Sequence, residues 1–404
     1  MASPPNVPSN EDDWAFAWNP SSATVRQSQP IHVCDDDPLF LNHSSRHDMS
    51  AATWDGVRTT VCGEQPGEHP GEHGTAPGVI LPSLKIANAF VGLFFKHFFC
   101  QAPVLHEPTM SIDALPPPLI AIMVVIGAKY SHLRHTRRFS ILLLDKARRS
   151  LQTAIENDTR LVRSTHTIYA YALICYTGLW CGNKRAFEIA ESLRGTLVTY
   201  VRRLPHEEMQ AQTNQIATQG QISLETQWQQ WAAAEMRRKL KWFVFTLDSQ
   251  FPVLLNIRGM FSLAEISDWE LPCDEEFWAA STARSWKRLL GMAPIPPAPQ
   301  FTTALLPFLP ALVHGTGTDS SNSLRCGPVP LSMRLNQWSA FLLLTVVSNQ
   351  AFELSQEWTL AEAFRRETAQ DSGGDTSNET TVGDESISVK FNNLLDRKAK
   401  ISGK

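Results

Sequence analysis

The sequence has no pair of cysteines in C-x-x-C spacing. Its seven cysteines are Cys34, Cys62, Cys100, Cys175, Cys181, Cys273 and Cys326, scattered and odd in number. Neither a zinc cluster nor a thioredoxin-like motif can be drawn from them, and reduced thiols in an intracellular protein are the expected state. A basic surplus is missing too. Lys and Arg total 36 against 40 Asp and Glu, giving a net charge of −4. That balance argues against general affinity for nucleic acid, whose phosphates attract a basic excess. The longest apolar run, LIAIMVVIGA at 119–128, is half of the roughly 20 residues a membrane-spanning helix requires. The start, MASPPNVPSNEDDW, has neither the positive nor the apolar region of a signal peptide. There is no strand-rich block, no fixed-period repeat, and no G-x-x-x-x-G-K-[ST], G-x-G-x-x-G or G-x-S-x-G.

What is present is a helical pattern with large side chains. The 404 residues are 43% hydrophobic, with 12 Trp and 20 Phe, enough for one or two sizeable cores. Residues 1–83 hold 11 Asp and Glu against three Arg and no Lys, are rich in Pro, Gly and Ser, and show no sustained period. An acidic, disordered region is expected there. Its island EDDWAFAW has the composition of a disordered activation segment, though a solvated tail is the favoured reading. From Leu84 the phenylalanines 90, 94, 95, 98 and 99 recur at helical spacing. PPPLIAIMVVIGAKYSH predicts a fully buried helix opened by prolines. Residues 139–156 predict an amphipathic helix on Leu142, Leu143, Ala147 and Leu151. Residues 166–204 predict a helical hairpin turning at Gly182 and Asn183, with Ile189, Leu193, Leu197, Tyr200 and Leu204 on the inner face. A Pro/Gly/Ser-rich connection over 291–330, a C-terminal helix over 331–366 that packs on the domain, and a disordered tail over 367–404 complete the chain. The predicted fold is all-α, a multi-helix bundle or array with disordered termini.

WAAAEMRRKLKWFVFTLD at 231–248 sets four basic residues among aromatics. On a wheel of about 100° per residue, Trp231, Glu235, Arg238, Trp242 and Phe245 share one face. Met236, Leu240, Phe243, Leu247 and Phe251 share roughly the opposite face. The flanks left for solvent carry Arg237, Lys241 and Asp248 on one side, and Ala232, Lys239 and Thr246 on the other. A DNA-reading helix has one basic and one apolar face. An interfacial membrane helix has one apolar and one broad charged face. Two apolar stripes predict a helix held between other helices, with Glu235 and Arg238 paired across one turn.

Fragments with an enzyme-like look are weak. His69 and His73 in GEHPGEHG lack the helix a zinc pair requires, because Pro70, Gly71 and Gly74 break it. Asp35, Asp36 and Asp37 in CDDDPLF resemble the magnesium motif of terpene cyclases, but Pro38 follows them. The second metal motif fails too: NDTRLVRS has Leu161 where a hydroxyl is required. His106 in VLHEPT reads as a structural histidine bonding backbone. RHTRR at 134–138, with Arg148 and Arg149, reads as a solvated helix end rather than a phosphate site.

Five segments together resemble one family, the fungal-specific transcription factor regulatory domain, closest to members with Cys-Cys-His-His zinc fingers. VLHEPTM, after LFFKHFF, is similar to its P-x-L-H-x-P-T-F turn through Leu105, His106, Pro108 and Thr109, with Met110 where Phe is usual. PPPLIAIMVVIGAKYS resembles its buried proline-led helix, and YVRRLPHEE its A-R-x-L-G-L-H element, with Pro205 where glycine is usual. Trp231, Glu235, Arg237, Arg238, Trp242, Phe245 and Asp248 match W-x-x-x-E-x-R-R-R-x-W-x-x-F-x-x-D. Leu271, Pro272, Cys273 and Trp278 match L-P-C-x-x-x-x-W-x-A. The resemblance covers about 84–290. It implies a helical regulatory domain of a nuclear regulator of RNA polymerase II transcription, of a kind found with secondary metabolism, and not an enzyme. Its partners would be other transcription regulators or a second copy, with DNA engaged only indirectly, no membrane, and an effector whose identity is unknown. No cofactor is implied: the family's zinc belongs to a DNA-binding module for which these residues show no pattern. These motif residues are expected to be structural, none catalytic, cofactor-, metal- or DNA-binding. The competing expectation is a helical, terpene-cyclase-like enzyme of a metabolic gene cluster.

Overall fold

The computed structural model describes residues 29–34, 37–41, 44–63, 79–204, 223–305 and 335–371. Every regular element among them is helical, and no strand occurs. They fall into two compact units, one ending at residue 298 with 263–269 left out, the other built from 263–269 and the residues after 298.

In the first unit, α3 (Pro117–Tyr130) is the axis, and everything from Pro118 to Ala128 is buried. Pro117 and Pro118 occupy the first turn, where no amide proton is needed and the fixed φ suits a helix. Helix α2 (Leu84–Leu93) packs against α3 and continues as a π-helical turn over Phe94–Phe98. The two helices touch at Gly127, where an added Cβ would lie 1.8 Å from the carbonyl oxygen of Phe90. Helix α4 (Thr136–Asn157) lies along the other side of α3, burying Leu143, Ala147 and Leu151, while Leu142 is only half-buried.

Helices α5 (Thr165–Trp180) and α6 (Lys184–Arg202) form the expected hairpin. Gly182 takes φ +72° in the turn, and the Asn183 side chain accepts the Ala186 N–H at 3.0 Å to cap α6. Gly178 lets the helices close: its missing Cβ would meet Ala186 O and Ala190 Cβ at 2.8 Å. The deeply buried stripe of α6 is Ala190, Arg194, Leu197, Val198 and Val201. Ile189, Leu193 and Tyr200 from the expected face are half-buried, because Ile189 and Leu193 line a shallow cleft against α4 and α5.

The disordered N-terminal region expected over 1–83 does not extend through residues 44–63. Helix α1 (Ala51–Val57) and the π-helical turn Arg58–Cys62 dock on α3 and α4, burying Trp54, Val57 and Val61. Trp54, Val57 and Val61 recur at 3 and 4, a single apolar stripe that composition over 83 residues averages away. Met49 N–H donates to Asn88 Oδ1 at 3.1 Å and Ser150 Oγ to Thr60 O at 3.0 Å, tying the segment down. EDDWAFAW, the His69–His73 loop, Asp35 and Asp36 lie outside the described residues. Asp37 carboxylate accepts the Leu39 N–H at 2.8 Å, a local turn contact.

Helix α7 (Leu224–Asp248) is capped by Ser223, whose Oγ accepts the Thr226 N–H at 3.1 Å. It lies between α5 and α6 on one side and α8 (Ala283–Leu290) on another. In the second unit, the Phe301 N–H donates to Trp269 O at 2.8 Å, and a 35-residue helix, α9 (Gln337–Asp371), is the main element. It begins later than the expected residue 331 and ends beyond 366.

Candidate functional site: a buried tryptophan and charge cluster

Both stripes predicted for α7 are buried apart from Met236, which is half-buried. Phe243 of one stripe sits 5.9 Å from Tyr169 and 6.5 Å from Phe98, between ring centroids. Trp231 of the other stripe sits 5.3 Å from Trp286 of α8 and 6.2 Å from Trp278. The flanks are not all solvated. Ala232, Lys239 and Asp248 lie on the flanks the wheel leaves for solvent, yet Ala232 is buried, Lys239 is 0% and Asp248 3% exposed. Segments remote in sequence close over both flanks, which a single-helix wheel does not represent. Arg237, Lys241 and Thr246 are half-buried.

The first site gathers the family-like segments. Glu235, completely buried, pairs with Arg238 one turn on, and its Oε1 accepts the Cys273 N–H at 2.9 Å. Arg238 also pairs with Glu270. Trp242 Nε1–H donates to Glu270 O at 2.8 Å. Lys239 Nζ lies 4.5 Å above the Trp278 ring, a cation–π contact strengthened by burial of the side chain. The buried Glu235, Arg238 and Lys239 are thus balanced by Glu270, whose side chain is 36% exposed at the edge of the cluster. Leu271, Pro272 and Cys273 are buried across α7.

The HEPT turn enters the same cluster. Leu105 and His106 are fully buried, and Thr109, at the rim, shares a 2.8 Å hydrogen bond between its hydroxyl and His106 Nδ1. The Thr109 hydroxyl orients the ring in addition to the expected backbone contact, which the Trp278 backbone supplies. Pro108 is half-buried in the 3₁₀ turn Glu107–Thr109. The imidazole stands 4.6 Å from the Trp278 ring, 5.3 Å from Trp228 and 6.1 Å from Trp231. Burial lowers its pKa from 6.5 to about 4, against the backbone of Trp278, which favours the proton. It is neutral at pH 7. Burial, then the Glu235 charge, push the Cys273 thiol far up, so no thiolate nucleophile is available there.

Asp248 anchors a second contact set. Its carboxylate accepts Arg194 Nε–H at 2.5 Å and the Met260 and Phe261 amides at 2.6 and 3.3 Å. Arg194 lies 4.3 Å over the Phe251 ring and donates to Arg258 O at 2.8 Å. The motif's last carboxylate therefore locks α6, α7 and the loop after it. Phe245 packs 5.5 Å from Trp242 and 6.2 Å from Phe261. Sequence reasoning missed Arg194, Trp228, Lys239, Glu270 and Trp286. Trp228, three residues before Trp231, carried a periodicity signal, whereas Arg194 and Glu270 carried none.

Glu107, next to His106, points the other way. It meets His47 Nε2 at 3.2 Å and Arg46 at 3.6 Å, in a cleft of about 390 Å³ also lined by Leu93, Phe95 and Lys96. The hydrogen bond from His47 holds the Glu107 carboxyl below its usual pKa. Among the described residues, no three His, Cys, Asp or Glu side chains are placed to hold a metal ion, and no helix is long and apolar enough to cross a membrane. The basic side chains of 148 and 149 both bind Asp145 at 2.8 Å.

The cluster thus combines paired buried charges with a histidine that is neutral at pH 7 and a thiol held protonated by burial. An all-helical domain built around such a cluster is the class of protein at hand. The chain belongs to the fungal specific transcription factor domain family, matched over residues 91–320. It is 28% identical over 213 residues to the nicotinate catabolism cluster-specific transcription factor of Emericella nidulans, covering 52% of this chain and 24% of that protein. It is 24% identical over 269 residues to transcription factor 1 of Elsinoe fawcettii, covering 64% and 28%. With the zinc finger protein klf1 of Schizosaccharomyces pombe it shares 22% over 219 residues, 50% and 26% of the two chains. The matched stretch thus spans about a quarter of these curated relatives' length. No solved structure matches the chain. The family and the relatives' names support a transcription-factor-like regulatory role, and nothing in them supports the terpene-cyclase-like alternative.

Proposed function

We propose that the described helices form the regulatory scaffold of a nuclear regulator of RNA polymerase II transcription, engaging DNA only through partners, without catalysis and without a cofactor of their own. The observation that carries this reading is the burial of α7. Its basic run supplies Arg238 and Lys239 to the interior, which leaves no continuous basic face for a groove. Partners are other transcription regulators or a second copy. The cleft at Arg46, His47 and Glu107 has room for a small effector. The motif residues of the HEPT turn, of α7 and of Leu271, Pro272, Cys273 and Trp278 act as structural members of the scaffold.

Two assays test this. Titration of the purified chain into labelled duplex DNA near 150 mM salt should give no submicromolar binding. A submicromolar Kd with a steep salt slope would overturn indirect engagement. Fused to an unrelated DNA-binding domain, the chain should change expression of a tethered reporter, and a flat reporter would remove the regulatory role.

A further inference from the structure

We propose that α9 is an antiparallel self-association seam, which names a second copy as partner within the reading above. The helix buries Leu342, Leu343 and Val346 near its start. About 100° around it, Leu344, Val347, Ala351, Leu354, Trp358 and Ala361 recur at 3, 4, 3, 4 and 3. That is an a/d heptad stripe, the spacing that meshes two helices. The stripe is open: Leu344 is 69%, Leu354 64% and Trp358 66% exposed. Apolar side chains of this size in one row are what an interface hides.

Size selects the occupant's direction. Charge does not, because Glu362, the residue that Glu357 would face in a parallel pair, already binds Arg365 and Arg366 of its own helix at 3.3 and 3.6 Å. In a parallel pair Trp358 would meet its own copy, and Ala351 another Ala351. Running antiparallel, with the two-fold axis between Phe352 and Glu353, each a residue meets a d residue. Leu344 then faces Ala361, Trp358 faces Val347, and Leu354 faces Ala351 of the second copy, so large meets small in every layer. The flanking pairs become Gln350 with Glu357 and Ser348 with Ser355. A second copy running in reverse supplies this match.

The full chain should sediment as a dimer at tens of micromolar. Leu354→Glu should shift it to a folded monomer whose circular dichroism is unchanged and whose Tm, unlike that of the wild type, does not rise with protein concentration. A spin label at Ala363, carried on an unnatural amino acid because of the native thiols, should report about 30 Å between copies for antiparallel helices rising 1.5 Å per residue, against under about 20 Å for parallel ones. A monomeric wild type, with the stripe covered by the chain's own segments, overturns the inference. So does a dimer that survives Leu354→Glu, or one that gives the short distance. A monomer that still drives the tethered reporter would sink the seam and leave the regulatory reading standing.

Discussion

His106 is the residue where chemistry and folding meet most directly. Its ring is neutral in the folded chain because burial lowers the pKa to about 4, whereas the unfolded chain holds it near 6.5. The unfolded state therefore binds the extra proton first. Stability is intact above pH 6.5 and falls as the pH drops towards 4, by about 3 kcal/mol in all from this group. Chemical denaturation at pH 7 and pH 4.5 should show that loss, and His106→Gln should flatten it. Equal slopes in both proteins would move the proton uptake elsewhere. Glu235 is the second decisive residue. Glu235→Ala leaves Arg238 and Lys239 buried with half their countercharge, and should cost about 3–5 kcal/mol. If unfolding midpoints hardly change, the four charges are not a coupled set. The sequence showed Glu235 and Arg238 one turn apart. It did not show Lys239 inside, because the Trp278 ring that its ammonium meets comes from a segment more than thirty residues on.

Among the elements, α7 was the most legible. Two apolar stripes on one helix leave few options besides a position between other helices, and both stripes are buried apart from the half-buried Met236. Trp242→Ala should accordingly destabilise the fold by about 3–5 kcal/mol; under about 0.5 kcal/mol would place that ring at the surface. The α2–α3 contact was not legible. Gly127 looks like any glycine in an apolar run, but its Cα–H faces Phe90 O with no space for a methyl group. Gly127→Ala should cost about 3 kcal/mol or more, since two backbones must part. An unchanged Tm would mean that α2 and α3 slide freely. Helix α1 shows the limit of composition: an acidic, loop-like window hid a docked stripe of Trp54, Val57 and Val61.

For the molecule as a whole, three of the five family-like segments meet in the fold. His106, Trp231 and Glu235 of α7, and Cys273 and Trp278 come together in one tryptophan-lined interior. At the other end of α7, Asp248 pairs with Arg194 in a second contact set. Regulation through such a scaffold would be read at its surfaces. The seam on α9 and the cleft beside Glu107 are the places where partners and effectors would register. The sequence by itself determined the helical class, the buried axis at 117–130, the 165–202 hairpin and the two-sided burial of α7. These follow from periodicity, which is a property of neighbouring residues. Only the tertiary structure decided that Lys239 and Asp248 lie inside, that Thr109 holds His106, and that residues 44–63 dock. Those outcomes depend on which distant segment arrives beside each side chain. A buried charge is stable only where packing brings its counter-group, and no local pattern in the chain encodes that meeting.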